Sequence, residues 1–460
     1  MVPLATRGEE SSRVDLTPRL GRGEALNDVA SSLPVVIVGG GFSGAMLAAR
    51  LAERGQASTL IERGDAFGPG VAYSTSNDAH RLNVRAGRMS AVVDRPADFV
   101  DWLTTRHPDQ ADANGFAPRR LYGLYVRDRL SATEAAHPGL IRRVTGAVIA
   151  VEGRSAILST GERIEGRAVV LATGNPAPRT TPTGEDGRII ANPWTPDALT
   201  RVRPDDDVLI LGTGLTMVDV LLTLSSQGWR GRATAASRRG LLPRAHGPHH
   251  DAPIDLPPEA LTGPLSRRLA VARRLARTHG WRRVMEGYRP ITLELWQAAT
   301  EAERARFLRR LRPWWDVHRH RIAPEIAAEL DQLIHEDRLT VRAGRVLGIE
   351  PSADRVAVRL AANHAEQTLS APWLIDCTGP GHDAATTPLT AALIAEGRAR
   401  LDPLRLGLDL DPDGRVRRAD GTPDPDLYVL GPPARAAFWE TVAVPDIRQR
   451  IEALVRALNV

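Results

Sequence analysis

The 460-residue sequence contains no lysine, so all 60 of its basic residues are arginine. Because arginine stays charged at any working pH, the sequence pI is close to 10.0 although the net charge is only +5. A basic pI can indicate nucleic-acid binding, but no nucleic-acid-binding motif accompanies this charge. We therefore expect the arginines to lie on ordinary solvated faces and expect no nucleic-acid partner.

Cysteine is nearly absent as well, since Cys377 is the single one. A disulfide within the chain is therefore excluded, and a reducing compartment fits this composition. The flavoprotein disulfide reductases are excluded too, because they need a paired redox cysteine.

Long apolar runs are also missing. The most apolar stretch, residues 35–52, contains four glycines and fits a strand, a turn and a helix better than a membrane span. Residues 1–33 are polar and lack the apolar core of a secretory signal, so we expect a disordered leader. These features predict a cytoplasmic protein without a membrane partner.

A complete βαβ unit follows this leader. Val35-Val36-Ile37-Val38 is a β-branched run of the kind that forms a buried parallel strand. Gly39, Gly41 and Gly44 follow it and give the spacing GxGxxG ahead of a helix pattern. Glu62 ends the second strand, 23 residues after Gly39, where an acid can bind ribose hydroxyls. The unit predicts a dinucleotide site with the pyrophosphate at the helix N-terminus.

Three later segments favour FAD over NAD as the ligand of this first unit. Strands ending in Ala-Thr-Gly and Cys-Thr-Gly are predicted at residues 168–174 and 375–379, and a late strand ends at Gly431. After Trp439, the segment from Thr441 to Asp446 contains Pro445, which is suited to the first turn of a helix whose amides point at the flavin.

A second, degraded unit begins about 170 residues later. Gly212 and Gly214 follow the strand Val208-Leu209-Ile210-Leu211, but Met217 stands in place of the third glycine. The next strand ends in Ser237-Arg238-Arg239 and not in an acid, and arginine there suits the 2′-phosphate of NADPH. We expect NADPH at this site, with NADH as the alternative.

The sequence predicts an α/β fold with two Rossmann-like dinucleotide-binding domains. The FAD domain is discontinuous, at residues 34–185 and 379–460, with a linker near residues 175–187. The NAD(P) domain is inserted at residues 205–378 and carries a helical insertion at about 257–335, in which Thr300 and Glu303 form a capping-box pattern.

These motifs resemble those of flavoproteins with two dinucleotide-binding domains, a group that includes flavin reductases and class B monooxygenases. More narrowly, the sequence is similar to the bacterial group that contains FAD-dependent urate hydroxylase and aspartate N-monooxygenase. The matching segments are residues 38–44, 82–84, 211–219, 237–243 and 376–380. One departure is that residues 187–194 lack the Phe-Gly-His-Trp fingerprint, with Asn192 and no histidine, which argues against Baeyer–Villiger chemistry.

The resemblance implies that Asn83 and Val84 lie near the flavin and that the two Thr-Gly pairs line chain crossings between domains. The predicted FAD-binding residues are Gly39, Gly41, Phe42, Ser43, Gly44, Glu62, Arg63, Asn83, Val84, Val148, Thr173, Gly174, Gly431, Thr441 and Ala443. The predicted NADP-binding residues are Gly212, Thr213, Gly214, Leu215, Thr216, Ser237, Arg238, Arg239, Thr378 and Gly379.

The predicted activity is an FAD-dependent, NAD(P)H-using monooxygenation of a small electron-rich substrate, an amine or a purine such as urate, by O2 through a flavin C4a-peroxide. A reductase that passes electrons to a partner, or a non-catalytic redox sensor, remains an alternative. Two histidine- and arginine-rich runs offer substrate residues: His246 in the first, and His318 and Arg319 in the second, suited to an anion. Trp439 is a fourth candidate. No metal site is expected, and the oligomeric state stays open.

Overall fold

The computed structural model describes residue 1 and residues 33–176, 187–362, 365–381 and 383–458. The predicted leader and most of the predicted linker therefore lie outside the described residues. The strands are β1 (Val35–Val38), β2 (Ser58–Glu62), β3 (Ile141–Thr145), β4 (Val148–Glu152), β5 (Ser155–Leu158), β6 (Arg163–Glu165), β7 (Ala168–Leu171), β8 (Ile189–Ile190), β9 (Val208–Leu211), β10 (Ala233–Ser237), β11 (Leu339–Ala343), β12 (Arg345–Pro351), β13 (Val356–Ala362), β14 (Ala365–Ala371), β15 (Trp373–Asp376), β16 (Arg415–Arg417) and β17 (Pro423–Val429).

The α-helices alternate with these strands in both halves of the chain and form a continuous series between β10 and β11. They are α1 (Phe42–Glu53), α2 (Gly70–Tyr73), α3 (Asp98–Arg106), α4 (Arg119–Ala136), α5 (Leu215–Ser226), α6 (Pro258–Leu261), α7 (Leu265–His279), α8 (Trp281–Tyr288), α9 (Thr292–Ala298), α10 (Glu301–Arg310), α11 (Arg312–Arg319), α12 (Pro324–His335), α13 (Pro388–Ala395), α14 (Arg435–Phe438) and α15 (Val444–Ala457).

The first sheet has the strand order β16-β17-β7-β1-β2-β3. Its strands are parallel except for the edge strand β16, which pairs antiparallel with β17. All residues of β1 and β7 are buried. This burial explains their uninterrupted apolar sequences, because parallel strands are covered on both faces. Helix α1 packs between the sheet and α4 and α15.

The second sheet is parallel throughout, with the order β11-β10-β9-β15-β8. The predicted α/β fold with two Rossmann-like domains is therefore confirmed, each domain having a mainly parallel sheet. The edge strand β8 lies at residues 189–190, before the start at residue 205 that the sequence predicted for the second domain. Its two buried isoleucines were too short a run to signal a strand.

Strand register brings the predicted ligand loops to one edge of each sheet. In the first sheet Val38 is aligned with Ile61 and with Leu171, and Leu171 with Val429. The turns that follow β1, β7 and β17 therefore lie side by side. In the second sheet Leu211 is aligned with Ala236 and Asp376. The carboxyl edge of a parallel sheet is where such folds bind ligands.

The predicted helical stretch at residues 257–335 is confirmed by helices α6 to α12. The predicted capping box is present too: Thr300 and Glu303 satisfy each other's backbone N–H groups at the start of α10. Two antiparallel three-stranded sheets, β4-β5-β6 and β12-β13-β14, were not predicted as sheets.

Polar contacts join the two nucleotide-type units. Arg119 of α4 donates to the Asp219 carboxylate of α5 at 2.6 Å, and His80 contacts the Thr223 hydroxyl at 2.9 Å. His80 and Asp219 are both buried. The contacts fix α5, and the glycine loop at its start, against the chain that follows the first unit.

Candidate cofactor and substrate site

The first glycine loop has a geometry that admits only glycine at two positions. Gly39 has a φ of +110°, and a Cβ there would collide with the Ala172 carbonyl. A Cβ on Gly44 would collide with the Gly39 carbonyl oxygen. Helix α1 begins directly after Gly41, and no side chain caps its first N–H groups. These free donors and the positive end of the helix dipole suit a pyrophosphate.

Glu62 is oriented toward this loop. Its carboxylate accepts the N–H of Gly40 at 2.7 Å and the N–H of Arg63 at 2.8 Å. The remaining lone pairs of a carboxylate can accept further hydrogen bonds, as a ribose would require. The Arg63 side chain is exposed.

The late segment predicted to contact FAD lies beside the same loop. A Cβ at Gly431 would touch the hydroxyl of Ser43, which is buried next to Phe42 at the start of α1. Thr441 is 1% exposed, and its hydroxyl has no hydrogen-bond partner among the described residues. Ala443 is the N-cap of α15. A buried hydroxyl without a partner is costly, so its position fits a polar ligand group such as that of FAD.

Other predicted FAD residues are more varied in position. Thr173 is exposed, and Gly174 has a φ of +72° with nothing within 4 Å of the position of a Cβ. Both residues therefore lie at an open turn after β7. Val148 is partly buried and packs against the apolar cluster that contains Val38 and Leu171, the last residues of β1 and β7.

The second glycine loop is also open. Gly214 precedes α5 with no side-chain cap, and nothing lies within 4 Å of the position of a Cβ there. The Thr213 hydroxyl is 2.8 Å from the Ser237 hydroxyl and donates to the Leu241 carbonyl at 2.6 Å, which fastens the loop to the end of β10. Met217 is completely buried in the core, which explains why a bulky residue replaces the third glycine.

The remaining predicted NADP residues surround this opening. Leu215 and Thr216 are half-buried in the first turn of α5, and Arg238 and Arg239 are exposed after β10. Thr378 is exposed after β15, and both its N–H and its hydroxyl bond to Asp376, at 2.9 and 2.6 Å. Gly379 follows in a left-handed conformation with open space around it.

A polar pocket of about 30 Å³ lies next to Asn83 and Val84. His246 contacts the Asn83 carbonyl at 3.0 Å, and burial, with a contribution from Arg321, lowers the pKa of His246 to about 4. His246 is therefore neutral near pH 7. The basic residues lining the pocket are here called the arginine cluster: Arg85, Arg88, Arg289, Arg319 and Arg321.

Carboxylates compensate the arginine cluster incompletely. Glu286 is bonded to Arg321 and lies 3.2 Å from Arg88 and 3.9 Å from Arg289. Arg319 lies 3.6 Å from Glu440 and 3.5 Å from the carboxylate of Asp446. Among the described residues, no hydrogen bond is made by the buried Nη2 of Arg289 or by the buried Nε atoms of Arg319 and Arg321. Buried guanidinium donors without partners favour a ligand that carries acceptor oxygens.

His318 and Trp439 lie elsewhere. The His318 ring packs edge-on against Trp281 at 4.8 Å and its Nδ1 contacts the Trp314 carbonyl. The Trp439 ring stacks on Trp296 at 4.6 Å. Both side chains line a separate apolar cavity of about 450 Å³. The structure thus separates His318 from Arg319, although the sequence suggested that they act together.

Sequence reasoning missed Arg85, Arg88, Glu286, Arg289, Arg321 and Glu440. Arg321 belongs to the histidine- and arginine-rich run already considered, so that signal was present. Glu286 occurs in an apolar part of α8 without any motif, and no local pattern could have placed its buried carboxylate beside Arg88 and Arg321. Within the described part of the chain, no group of three or more histidine, cysteine or acidic residues is arranged to hold a metal ion.

Residues 36–176 match the family model described as FAD-NAD(P)-binding. No curated protein matches the sequence. The structure is similar to that of an ornithine N-hydroxylase from Kutzneria sp. 744, determined with reduced FAD, NADP+ and L-ornithine, at 17% identity and a TM-score of 0.63. This similarity covers 93% of the present chain and 99% of the other.

Two further solved structures show the same likeness. L-lysine 6-monooxygenase from Pseudomonas syringae is 18% identical with a TM-score of 0.64, and 93% of this chain and 99% of that chain are covered. The cadaverine monooxygenase of Erwinia amylovora, bound to FAD, is 12% identical with a TM-score of 0.64, and the coverage is 93% and 94%. In the described residues, no helix is both long and apolar enough to cross a membrane. The chain therefore has the fold of the flavoproteins with two dinucleotide-binding domains, and its residues 36–176 match an FAD-NAD(P)-binding family.

Proposed function

We propose that this protein is an FAD-dependent, NADPH-using monooxygenase that hydroxylates the nitrogen of a small amine. The carrying observation is the likeness of fold, over 93% of the chain, to an ornithine N-hydroxylase and to an L-lysine 6-monooxygenase. The reaction would be R-NH2 + O2 + NADPH + H+ → R-NHOH + H2O + NADP+. Urate, the purine alternative, gains no support from these three neighbours.

FAD would lie across the first sheet. The free N–H groups at the start of α1 would hold its pyrophosphate, Glu62 its ribose, and Thr441 with the start of α15 the region of the ring. With the domain limits that the sequence predicts, FAD would be bound by residues 34–185 and 379–460. When bound, FAD supplies the transfer of two electrons from NADPH and the activation of O2.

NADPH would enter through the second loop. The uncapped start of α5 would bind its pyrophosphate, because no side chain caps its first N–H groups and nothing lies within 4 Å of the position of a Cβ at Gly214. Arg238 and Arg239 are exposed at the end of β10 and would bind the 2′-phosphate. Thr213, which is tied to Ser237, would keep the loop in register with that phosphate site.

The arginine cluster would position the amine substrate. Its unpartnered donors suit an acceptor oxygen of the substrate, and its positive charge lowers the pKa of a bound ammonium group. The substrate nitrogen would therefore be held as the free base, with the lone pair that N-hydroxylation needs. His246 is neutral near pH 7, so it acts as a hydrogen-bond partner of Asn83 and not as a proton donor.

The decisive experiment measures oxygen incorporation. The FAD-loaded protein is incubated with NADPH and 18O2 in the presence of ornithine, lysine or cadaverine, and the products are analysed by mass spectrometry. We expect one labelled oxygen on nitrogen for at least one amine. Amine-independent NADPH oxidation with electrons passing only to an added acceptor would favour the reductase alternative and refute the proposal.

A variant pair tests the arginine cluster. Arg289 has only a distant acidic partner, so Arg289→Met should disturb folding less than loss of Arg321 would. We expect it to reduce amine-dependent hydroxylation on the order of tenfold, the value of one charge-assisted hydrogen bond. Arg277→Met on the exposed face of α7 is the matched control and should leave the rate unchanged.

A further inference from the structure

The apolar cavity of about 450 Å³ is a second candidate site, apart from the arginine cluster. Helices α6 to α11 surround it, and none of the described residues that line it also lines the polar pocket. Its lining includes five of the nine tryptophans of the sequence: Trp281, Trp296, Trp314, Trp315 and Trp439. Any ligand of the cavity therefore occupies a site of its own.

The cavity leaves apolar surface uncovered. Leu265, Leu269, Leu295 and Phe307 line it and are only half-buried, and Trp314 is 42% exposed. Burying an apolar group against such a lining is favourable, because it removes apolar surface from water. The volume falls within the roughly 300–1,000 Å³ that small-molecule pockets occupy. Because six helices enclose the cavity, it suits the apolar part of a small molecule better than the flat surface of a protein.

Arg268 brings a cationic group into this apolar lining. Its Nε is buried and makes no hydrogen bond among the described residues. The carboxylate at the cavity wall, that of Glu303, is held in the capping box instead, where it accepts the N–H and the hydroxyl of Thr300 at 2.9 and 3.0 Å. A buried guanidinium donor without a partner is costly, and a carboxylate is the acceptor whose two oxygens match a guanidinium.

The charge around the cavity favours an anion as well. Helix α7, which contains Arg268, carries five arginines and no acidic residue, and α10 carries four arginines and two glutamates. In the lining itself, three arginines, Arg268, Arg273 and Arg304, are accompanied by one acid. Arg304 donates to two backbone carbonyls of α9, at 2.9 and 3.1 Å. Arg268 is therefore the cation of the lining that has a buried donor to offer.

We propose that the apolar cavity binds an amphiphilic carboxylate of the fatty-acid class, with its apolar tail among the tryptophans and its carboxylate on Arg268. A neutral apolar molecule would leave the guanidinium donor without a partner, and an amine would place a second cation beside it. The site goes beyond the proposed monooxygenation and does not depend on it, because binding to the cavity is measured without turnover.

The first measurement tests the apolar tail. Octanoate and hexanoate are titrated separately into the full-length, FAD-loaded protein, and binding is followed by calorimetry and by the fluorescence of the lining tryptophans. We expect saturable binding of octanoate. Hexanoate should bind on the order of tenfold more weakly, because each buried methylene changes the affinity about fourfold. Equal affinity for the two acids would show that the tail is not buried and would overturn the proposal.

Variants then locate the two ends of the ligand. Arg268→Met removes the charge and should weaken octanoate binding on the order of tenfold, while the affinity for 1-octanol stays unchanged. Arg267→Met, at an exposed position of the same helix, is the matched control, and Arg289→Met tests binding of the carboxylate in the arginine cluster. Ala272→Phe fills the cavity and should weaken both probes, whereas Ala270→Phe, at an exposed position, should weaken neither.

A cooperative thermal transition verifies that each variant is folded, and Ala276→Leu, which also changes the lining, replaces Ala272→Phe if the latter is not. Octanoate binding that is lost in the filled cavity and weakened by Arg268→Met supports the proposal. Binding that is not saturable, that survives in the filled cavity, or that depends on Arg289 and not on Arg268 overturns it. Absence of 18O from every amine product would refute the proposed function and would leave these results unaffected.

Discussion

Glu286 should be a main source of stability in the helical stretch. Its side chain is 9% exposed, and it faces Arg321, itself 4% exposed, as well as Arg88 and Arg289. Removing one partner of a buried ion pair costs about 3–5 kcal/mol, because the other charge stays buried without compensation. Since Glu286 serves three arginines, we expect Glu286→Gln to lower the free energy of unfolding by about 4 kcal/mol.

A surface pair provides the matched control. Glu152 pairs with Arg163 at 2.7 Å, but the two side chains are 60% and 53% exposed. Glu152→Gln should therefore cost less than about 1 kcal/mol. Denaturant titration followed by tryptophan fluorescence is the assay, because five tryptophans line the adjacent cavity. Equal losses in the two variants would refute the idea that Glu286 holds the arginine cluster together.

The same residue predicts a pH dependence. Burial raises the pKa of Glu286, but Arg321, Arg289 and Arg88 together outweigh it, so the pKa lies below its usual 4.5. A carboxyl group whose pKa is lower in the folded protein than in the unfolded chain stabilises the fold at pH values above its unfolded-state pKa. This stabilisation is lost as the pH falls through the folded-state pKa. The difference between wild type and Glu286→Gln should be constant above about pH 4.5 and shrink below it. A difference that persists undiminished at pH 3 would contradict this assignment.

Three further predictions concern the cofactor loops and His246. Gly44→Ala places a methyl group against the Gly39 carbonyl and should abolish FAD retention, measured by absorbance, whereas Gly64→Ala, with open space around it, should retain FAD. Arg239→Ala should raise the KM for NADPH severalfold without changing that for NADH, and an equal change for both would disprove 2′-phosphate binding. His246→Gln should flatten the dependence of the unfolding free energy on pH between about pH 4 and 6.5. The lowered pKa of His246 contributes stability that is complete above the unfolded-state pKa and is lost as the pH falls toward 4. An unaltered pH profile would argue against a buried neutral histidine.

The sequence predicts the two sheets well because their signals are local. Each glycine loop follows a buried apolar strand and precedes a helix, so neighbouring residues determine all three elements. The small antiparallel sheets are different. The strand β14 is mostly exposed and polar, and its pairing with β13 decides its structure more than its own composition does.

The candidate substrate site could be predicted only in part, because it is assembled from distant segments. Arg85 and Arg88 precede α4, whereas Arg289, Arg319 and Arg321 come from the helical stretch more than 200 residues later. Arginine is abundant in this chain, so composition does not distinguish the buried arginines from the solvated ones. The expectation that arginines lie on solvated faces is wrong for Arg319 and Arg321, whose side chains are 7% and 4% exposed. Their burial depends on Glu286 and Glu440, which no local motif marks.

The run from Trp314 to Arg321 shows why sequence neighbours need not share a role. Successive residues of a helix point about 100° apart, because 3.6 residues complete one turn. Helix α11 therefore directs Trp314, Trp315 and His318 into the apolar cavity of about 450 Å³, while Arg319 turns toward Glu440 and Asp446. The run that the sequence suggests as a single substrate-binding segment therefore forms a wall with an aromatic side and a cationic side, each facing a different pocket.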